Sequence, residues 1–300
     1  MASPRSGRVA GPPGEPRAIG YLYIAPAFLV FALFMLWPLA RAVWLSFYEW
    51  DGLSVGTWVG IANYRDIVSD DVLRSAFVHA FVLVLFYSVI PVSVGLLLAA
   101  LMSHTTLRWL GFFRSVLFLP QVIASVVIAI AWQRIYAPDG PLNDALRAVG
   151  LDPLAHDWLG FGTALPAVGF VGAWVGTGLC LVLFLAGIAK IPRELYEAAR
   201  LDGAGAVQEF FAVTLPSVRG ELAVALTLTV IAALRTFDIV YVMTKGGGPG
   251  TETTVPSYEV FHRAFELRMV GQSAAIAVTL TALMMVVTVL INRVNERTEP

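Results

Sequence analysis

Cysteine is almost missing from this 300-residue chain; the one present, Cys180, lies inside an apolar run. An internal disulfide is therefore impossible, and a cysteine-based metal centre has nothing to build on. Lysine occurs only at Lys190 and Lys245, so arginine carries nearly all the positive charge. Charged residues make up just 14% of the chain, against about 25% in an ordinary soluble domain. His79, His104, His156 and His262 stand apart, with no His-Glu-x-x-His or comparable cluster, and read as surface or packing residues. The chain also lacks a Gly-x-x-x-x-Gly-Lys-Ser/Thr loop, the element that cradles nucleotide phosphates. No internal repeat or low-complexity tract is visible. These absences argue against catalysis, a bound metal or cofactor, and nucleotide hydrolysis by this chain. The missing inverted repeats and mid-membrane acids, Asp238 apart, argue against a stand-alone secondary transporter.

Long apolar runs are what the sequence does have. Hydrophobic residues reach 58% and the mean hydropathy is +0.75. The runs are long enough to cross a hydrocarbon layer of about 30 Å. The expected fold is all-α: a polytopic membrane protein of about six spans. These are placed at Ile19 to Phe47, Ala76 to Leu101, Phe112 to Ile135, Leu165 to Ile188, Leu222 to Met243 and Ser273 to Ile291. Pro26, Pro38, Pro91 and Pro120 fall in or near spans, where packing against neighbouring helices can absorb kinks. The domain reading is a disordered segment 1–18, a membrane domain 19–291 and a tail 292–300. Segment 1–18 is rich in Pro, Gly and Arg and, with no cleavage pattern behind it, is expected to stay ahead of the first span.

Basic residues set the expected orientation. With the N-terminus in the cytoplasm, Arg5, Arg8, Arg17, Arg108, Arg114, Lys190, Arg193, Arg200, Arg219, Arg293 and Arg297 lie inside. The outer side holds Arg41, Arg65, Arg74, Arg134, Arg147, Lys245, Arg263 and Arg268. Both termini come out cytoplasmic. Trp50, Trp58, Tyr64 and Trp158 in the outer loops suit an interfacial belt.

One polar stretch interrupts this pattern, in the inner segment 189–219. Arg193 to Leu201 are mostly good helix formers behind Pro192, and Asp202-Gly203 breaks the helix. A second helix is expected from about Ala204 to Thr214, closed by Leu215-Pro216. Leu195, Ala198, Ala199 and Asp202 share one side of the first helix, where the alanines make a low surface open to close approach. Glu197 and Arg200 flank it as polar handles. Val207, Phe210, Phe211 and Thr214 are expected to pack on the ends of the spans. The result is a helix-turn-helix knob shaped for a cytoplasmic partner, or else an interfacial amphipathic helix.

Glu197-Ala198-Ala199, Gly203, Val213, Leu215 and Pro216 reproduce the spacing of the EAA loop of bacterial ABC importer permeases, with Val213 in place of the usual isoleucine. The chain resembles that family. The segments Val59 to Asp71 and Arg235 to Phe265 resemble sugar-type permeases of the maltose, trehalose and glycerol-3-phosphate kind. The first has a Gly-x-x-Asn-Tyr core. The second carries Phe237-Asp238, Tyr241, Thr244, the Gly247-Gly248-Pro249 turn and Thr253. The resemblance runs from Ile19 nearly to the end.

That resemblance implies an importer for carbohydrates, with a glycerol-3-phosphate or polyol substrate as the alternative. It implies that Glu197, Ala198, Ala199, Arg200, Asp202 and Gly203 couple the chain to an ATPase. It also implies a second homologous permease in a heterodimer, two ATP-binding subunits that carry ATP and magnesium, and an extracytoplasmic solute-binding lipoprotein. Membrane lipid surrounds the chain, and neither nucleic acid nor a cofactor or metal of its own is expected. By the same resemblance, positions that meet sugar in the maltose permease fall on Trp174, Val175, Gly176 and Leu179, and on Thr229, Ala232, Ala233 and Thr236. Leu179, Ala232 and Ala233 depart from the polar and aromatic residues of that relative. For Trp174 and the Gly172-x-x-x-Gly176 pair, helix packing is the competing reading. Arg235 and Asp238 are charges within a span, sharing one face. They can pair with each other, form a gate or meet a sugar hydroxyl.

Overall fold

The computed structural model describes residues 18–103 and 109–296. His104 and the basic residues Arg5, Arg8, Arg17, Arg108 and Arg297 lie outside the described residues, as do nearly all of the segment 1–18 and the last part of the tail. Helices dominate. A long N-terminal helix α1 (Tyr21–Leu45) leads to a two-residue hairpin, β1 (Tyr48–Glu49) and β2 (Thr57–Trp58), and then to α2 (Ala62–Ser69). The second span is α3 (Asp71–Ser103). It is followed by α4 (Leu110–Val122), α5 (Ser125–Ile135) and the short outer helix α6 (Pro141–Ala148). The central span is α7 (Ala164–Ile188). The elbow consists of α8 (Arg193–Leu201) and α9 (Ala206–Ser217). After it come α10 (Arg219–Leu234), α11 (Asp238–Thr244) and α12 (Pro256–Phe261). The closing span is α13 (Val270–Glu296), which carries the helix five residues past the expected boundary at Ile291.

Two of the six expected spans are not continuous. Phe112 to Ile135 divides into α4 and α5, bent by 100° at Ile123 and Ala124, whose backbones are extended. Leu222 to Met243 divides at Arg235–Phe237: Arg235 ends α10 at ψ 0, Phe237 leaves helical geometry, and α11 starts at Asp238. Apolar run length detects burial in lipid but not a break whose freed backbone groups find partners inside the protein. Thr236 shows this directly. Its carbonyl accepts the Ser257 hydroxyl, and its own hydroxyl meets Tyr87 Oη at 3.2 Å.

Pro26 and Pro120 sit inside α-helical stretches, but three other prolines are absorbed by wide turns of the helix itself. π turns at Ala32–Leu36, Leu85–Val89 and Phe210–Thr214 each end two residues before a proline: Pro38, Pro91 and Pro216. In each, the N–H of the residue just ahead of the proline reaches the carbonyl five back: Trp37 to Ala32, Ile90 to Leu85 and Leu215 to Phe210. Widening the turn moves the carbonyl four residues back out of the ring's way and places the proline in a first turn, where no N–H is needed. Hence Leu215-Pro216 does not close the second elbow helix as expected. That helix runs on to Ser217, and the chain bends by 72° into α10.

The spans α3 and α7 form the spine. One half of the core gathers Leu83, Tyr87, Ile128, Val168, Val171, Val240 and Met243. The other gathers Val92, Leu96, Cys180, Leu181, Phe184 and Val218, at the elbow end. Close approach depends on glycine. A Cβ on Gly172 would sit 2.0 Å from the Tyr87 ring, and one on Gly178 would sit 2.2 Å from the Leu117 carbonyl oxygen. The Gly172-x-x-x-Gly176 pair is thus a packing device: Gly176 rests on Pro91. Gly178→Ala is expected to destabilise the chain by about 1–3 kcal/mol, because the obstacle is backbone and cannot turn aside. Gly220→Ala, where nothing lies within 4 Å, is expected to be neutral. Melting curves of the two variants in detergent make the comparison, and equal midpoints would refute it.

The Gly-x-x-Asn-Tyr segment also acquires a physical role. Gly60 turns at φ +59. Buried Asn63 then donates to the carbonyls of Ser46 and Tyr48, both at 2.9 Å, and the Tyr64 and Ser46 hydroxyls meet at 2.6 Å. These bonds tie the end of α1 and the start of the hairpin to α2.

Candidate functional site

The elbow is built from local rules. Pro192 is the N-cap of α8 rather than its first residue. At the other end Gly203 takes φ +85, which a side chain resists. Its N–H reaches the Arg200 carbonyl at 3.0 Å, and the Ala204 N–H reaches that of Ala199 at 2.9 Å. These bonds cap the helix through a left-handed glycine. Across the turn, Arg200 grips Glu209 with two hydrogen bonds of 2.7 and 3.2 Å, and the Tyr196 hydroxyl meets Thr214 Oγ1 at 3.0 Å. Glu209 is buried, so the bidentate pair fixes the angle between α8 and α9.

The six residues expected to couple the chain to an ATPase divide by direction. Ala198 and Asp202 face outward beside Leu195 and Leu201, the last 90% exposed. Ala199 is half-buried. Glu197 and Arg200 turn toward a cleft at the ends of the spans, with Arg193 and Tyr196. Gly203 holds the bend. On α9, Phe210 and Thr214 pack inward as expected, but Val207 and Phe211 do not; they are 71% and 61% exposed. The π turn Phe210–Thr214 shifts the register within α9, and Phe211 points out while Phe210 packs on the span ends. The elbow therefore presents an outward apolar surface of Leu195, Leu201, Val207 and Phe211.

The second site surrounds the two helix breaks. Asp238 begins α11 and Ser125 begins α5; the Ser125 hydroxyl donates to Asp238 Oδ2 at 2.6 Å. Arg235 is exposed and forms no pair with Asp238, so the two in-span charges do not neutralise each other. Farther along α5, Trp132 meets the Trp174 ring of α7 edge-on, with centroids 5.5 Å apart. Seven residues separate Ser125 from Trp132, which at 1.5 Å per residue is about 10 Å along one helix face.

The expected pathway residues fall into three groups. Trp174, Ala232, Arg235 and Asp238 are exposed. Thr229, Ala233 and Thr236 are buried, while Val175, Gly176 and Leu179 are half-buried. Thr229 pairs with Ser88 and bonds the Ala225 carbonyl at 2.8 Å; Thr236 pairs with Tyr87. Both partners lie in the π turn of α3. Sequence reasoning missed Tyr87, Ser88, Ser125 and Trp132. The polar Tyr87-Ser88 pair within an otherwise apolar run, three residues ahead of Pro91, was the available signal for the first two.

The comparisons agree with this architecture. Residues 92–300 match the family model described as "Binding-protein-dependent transport system inner membrane component". A probable ABC transporter permease, YurN of Bacillus subtilis, is 41% identical over 265 residues, covering 87% of this chain and 90% of that protein. The diacetylchitobiose uptake system permease NgcF of Streptomyces coelicolor is 32% identical over 281 residues, covering 90% and 80%. In the fold, a chain of the bacterial alginate ABC transporter, solved in complex with an alginate pentasaccharide-bound periplasmic protein, superposes with a TM-score of 0.79 at 19% identity. That match covers 93% of this chain and 94% of the other. The chain belongs to the family of binding-protein-dependent transport system inner membrane components: it is a membrane-spanning permease component of an ABC importer.

Proposed function

We propose that this permease carries a di- or oligosaccharide inward, along the strip that runs from Asp238 and Ser125 to Trp132 and Trp174. The carrying observation is that strip. It joins an exposed carboxylate, fixed by a serine at two helix breaks, to half-buried Trp132 about 10 Å beyond that serine along α5, and through Trp132 to exposed Trp174 on α7. Carboxylates accept from sugar hydroxyls, and indole rings stack on the apolar faces of sugar rings. Broken helices in the midst of spans are where transporters build such sites. The sugars named for the relatives support the same substrate class. Arg235 beside the strip would suit a phosphorylated polyol, but the neighbouring Asp238 disfavours it.

The outward apolar surface of the elbow supports docking to an ATP-binding subunit that binds ATP and magnesium and hydrolyses the nucleotide. A second homologous permease supplies the other wall of the path, and a solute-binding lipoprotein delivers the sugar from outside. Arg114, Lys190, Arg193, Arg200, Arg219 and Arg293 gather at the elbow end, which supports a cytoplasmic elbow and cytoplasmic termini.

The test uses the whole importer in proteoliposomes. Trp174→Ala is expected to lower sugar uptake about tenfold through the apparent KM, a loss of stacking of order 1 kcal/mol. Asp238→Asn is expected to lower uptake while the elbow still binds the ATPase. Unchanged sugar uptake in both variants would overturn the assignment of the path.

A further inference from the structure

Where the elbow meets the ends of α3, α4 and α7, an open cleft of about 770 Å³ remains that neither the sugar path nor the outward face of the elbow uses. Arg114 enters from α4, and Arg193 and Arg200 enter from α8. Against these three stands Glu197, the one acid among the described residues that line the cleft. Arg200 is already committed to Glu209. Among the described residues, Arg114 and Arg193 have no acidic partner. The remaining wall is apolar, with Met102, Leu185 and Ile191.

Two features say what kind of anion would suit this cleft. It lies at the ends of three membrane helices, the depth of lipid headgroups. On α4, Leu110 lies one turn from Arg114 on the same face, and with Met102, Leu185 and Ile191 it gives the cleft an apolar wall beside its arginines. A charged recess next to an apolar wall matches an amphiphile, whereas a small free ion would leave the wall unused. Basic recesses between spans on the cytoplasmic side are where anionic headgroups bind.

We infer that this cleft holds the phosphodiester headgroup of an anionic phospholipid between Arg114 and Arg193, with its acyl chains against Met102, Leu110, Leu185 and Ile191. Such a lipid bridges the body of the permease, through α4, to the first turn of the elbow, through α8. It therefore stiffens the joint at which the elbow leaves the membrane domain. The inference is independent of the sugar assignment.

Native mass spectrometry of the full chain, released from mixed micelles of phosphatidylglycerol and phosphatidylcholine, tests it. The wild type is expected to retain phosphatidylglycerol in preference to phosphatidylcholine. Each of Arg114→Gln and Arg193→Gln is expected to weaken that retention about fivefold, and the double variant about 30-fold, since each arginine near a headgroup contributes independently. The double lysine variant keeps most of the binding. Arg147→Gln, at an exposed arginine paired with Asp144 on α6, leaves it unchanged. Arg114 and Arg193 are exposed, and the single variants give the same reading should the double variant not fold. Undiminished phosphatidylglycerol retention in the glutamine variants, or equal retention of the two lipids by the wild type, would overturn the inference. Complete displacement by millimolar inorganic phosphate would overturn it too, by making the ligand a free ion.

Discussion

Gly203→Pro is expected to abolish ATP-driven uptake while leaving the chain folded in the membrane. The reason is confined to the turn. Gly203 stands at φ +85, and the proline ring holds φ near about −65°. The same substitution deletes the N–H that reaches the Arg200 carbonyl. The left-handed cap then cannot form, and α8 leaves α9 at another angle. Arg200–Glu209 and Tyr196–Thr214, the two contacts that fix that angle, are lost with it. None of the spans contributes to the turn, so insertion is unaffected. Gly203→Ala separates backbone strain from crowding: nothing lies within 4 Å of the added Cβ, so it meets only the cost of the left-handed region, roughly 1–2 kcal/mol. It is expected to retain substantial uptake. Ala198→Trp leaves the turn intact but raises a bulky side chain on the outward face beside Leu195 and Leu201, and it is expected to block docking. Uptake in proteoliposomes, with membrane insertion and ATPase binding measured on the same preparations, distinguishes these cases. Normal transport by the Gly203→Pro variant with its ATPase bound would remove the elbow from the transmission path.

Why the elbow was legible from the sequence and the path was not follows from the kind of information each uses. The elbow is made by contacts within about twenty positions: a proline at its entry, helix formers, a glycine that alone tolerates its φ, and a glutamate nine residues beyond the arginine it pairs with. Such signals are local. Asp238 and Ser125, by contrast, lie 113 positions apart, and Tyr87 and Thr236 lie 149 apart. Composition shows that each sits in an apolar run and nothing more. The breaks at Ile123-Ala124 and Arg235–Phe237 escaped for the same reason: Thr236 is held by the distant Tyr87 and Ser257 hydroxyls, and Ser125, just after Ala124, by the distant Asp238 carboxylate. The π turns were half-visible. Pro38, Pro91 and Pro216 marked the positions, but whether a helix kinks, stops or widens at a proline depends on what surrounds it. Val207 and Phe211 were misplaced because i, i+3, i+4, i+7 spacing marks one face only of a regular α-helix, and the π turn Phe210–Thr214 shifts that register.

Arg263→Met is expected to lower the stability of the solubilised permease by about 3–5 kcal/mol, the cost of leaving buried charge without its partner. Arg263 is 7% exposed and sits where four elements meet. Its Nε donates to Glu259 at 2.9 Å and a terminal nitrogen donates to Asp70 at 2.7 Å. Its other nitrogen donates to Gln272, which in turn reaches Asp66 at 3.1 Å. Asp70 does a second task, accepting from the N–H groups of Val72 and Leu73 to cap α3. Removing the guanidinium leaves the buried Glu259 carboxylate without a cation and frees α2 and α3 from α12 and α13. The double variant Arg263→Met, Glu259→Leu is expected to recover part of the loss, because replacing both members of a buried pair by apolar groups costs far less than removing one. The pH response follows from Asp70. Burial pushes its carboxyl up, but the hydrogen bond from Arg263, the two backbone N–H groups and the arginine's charge outweigh that and hold it below the usual range. A carboxylate with a depressed folded pKa contributes stability that is fully present above its unfolded value of about 3.9 and disappears as the pH falls through the folded one. Wild-type melting temperatures are therefore expected to drop below about pH 4, and the drop is expected to be shallower in Arg263→Met, where the largest influence lowering Asp70 is gone. A variant as stable as the wild type at neutral pH, with the same acid limb, would show that the cluster does not tie the outer ends of the spans together.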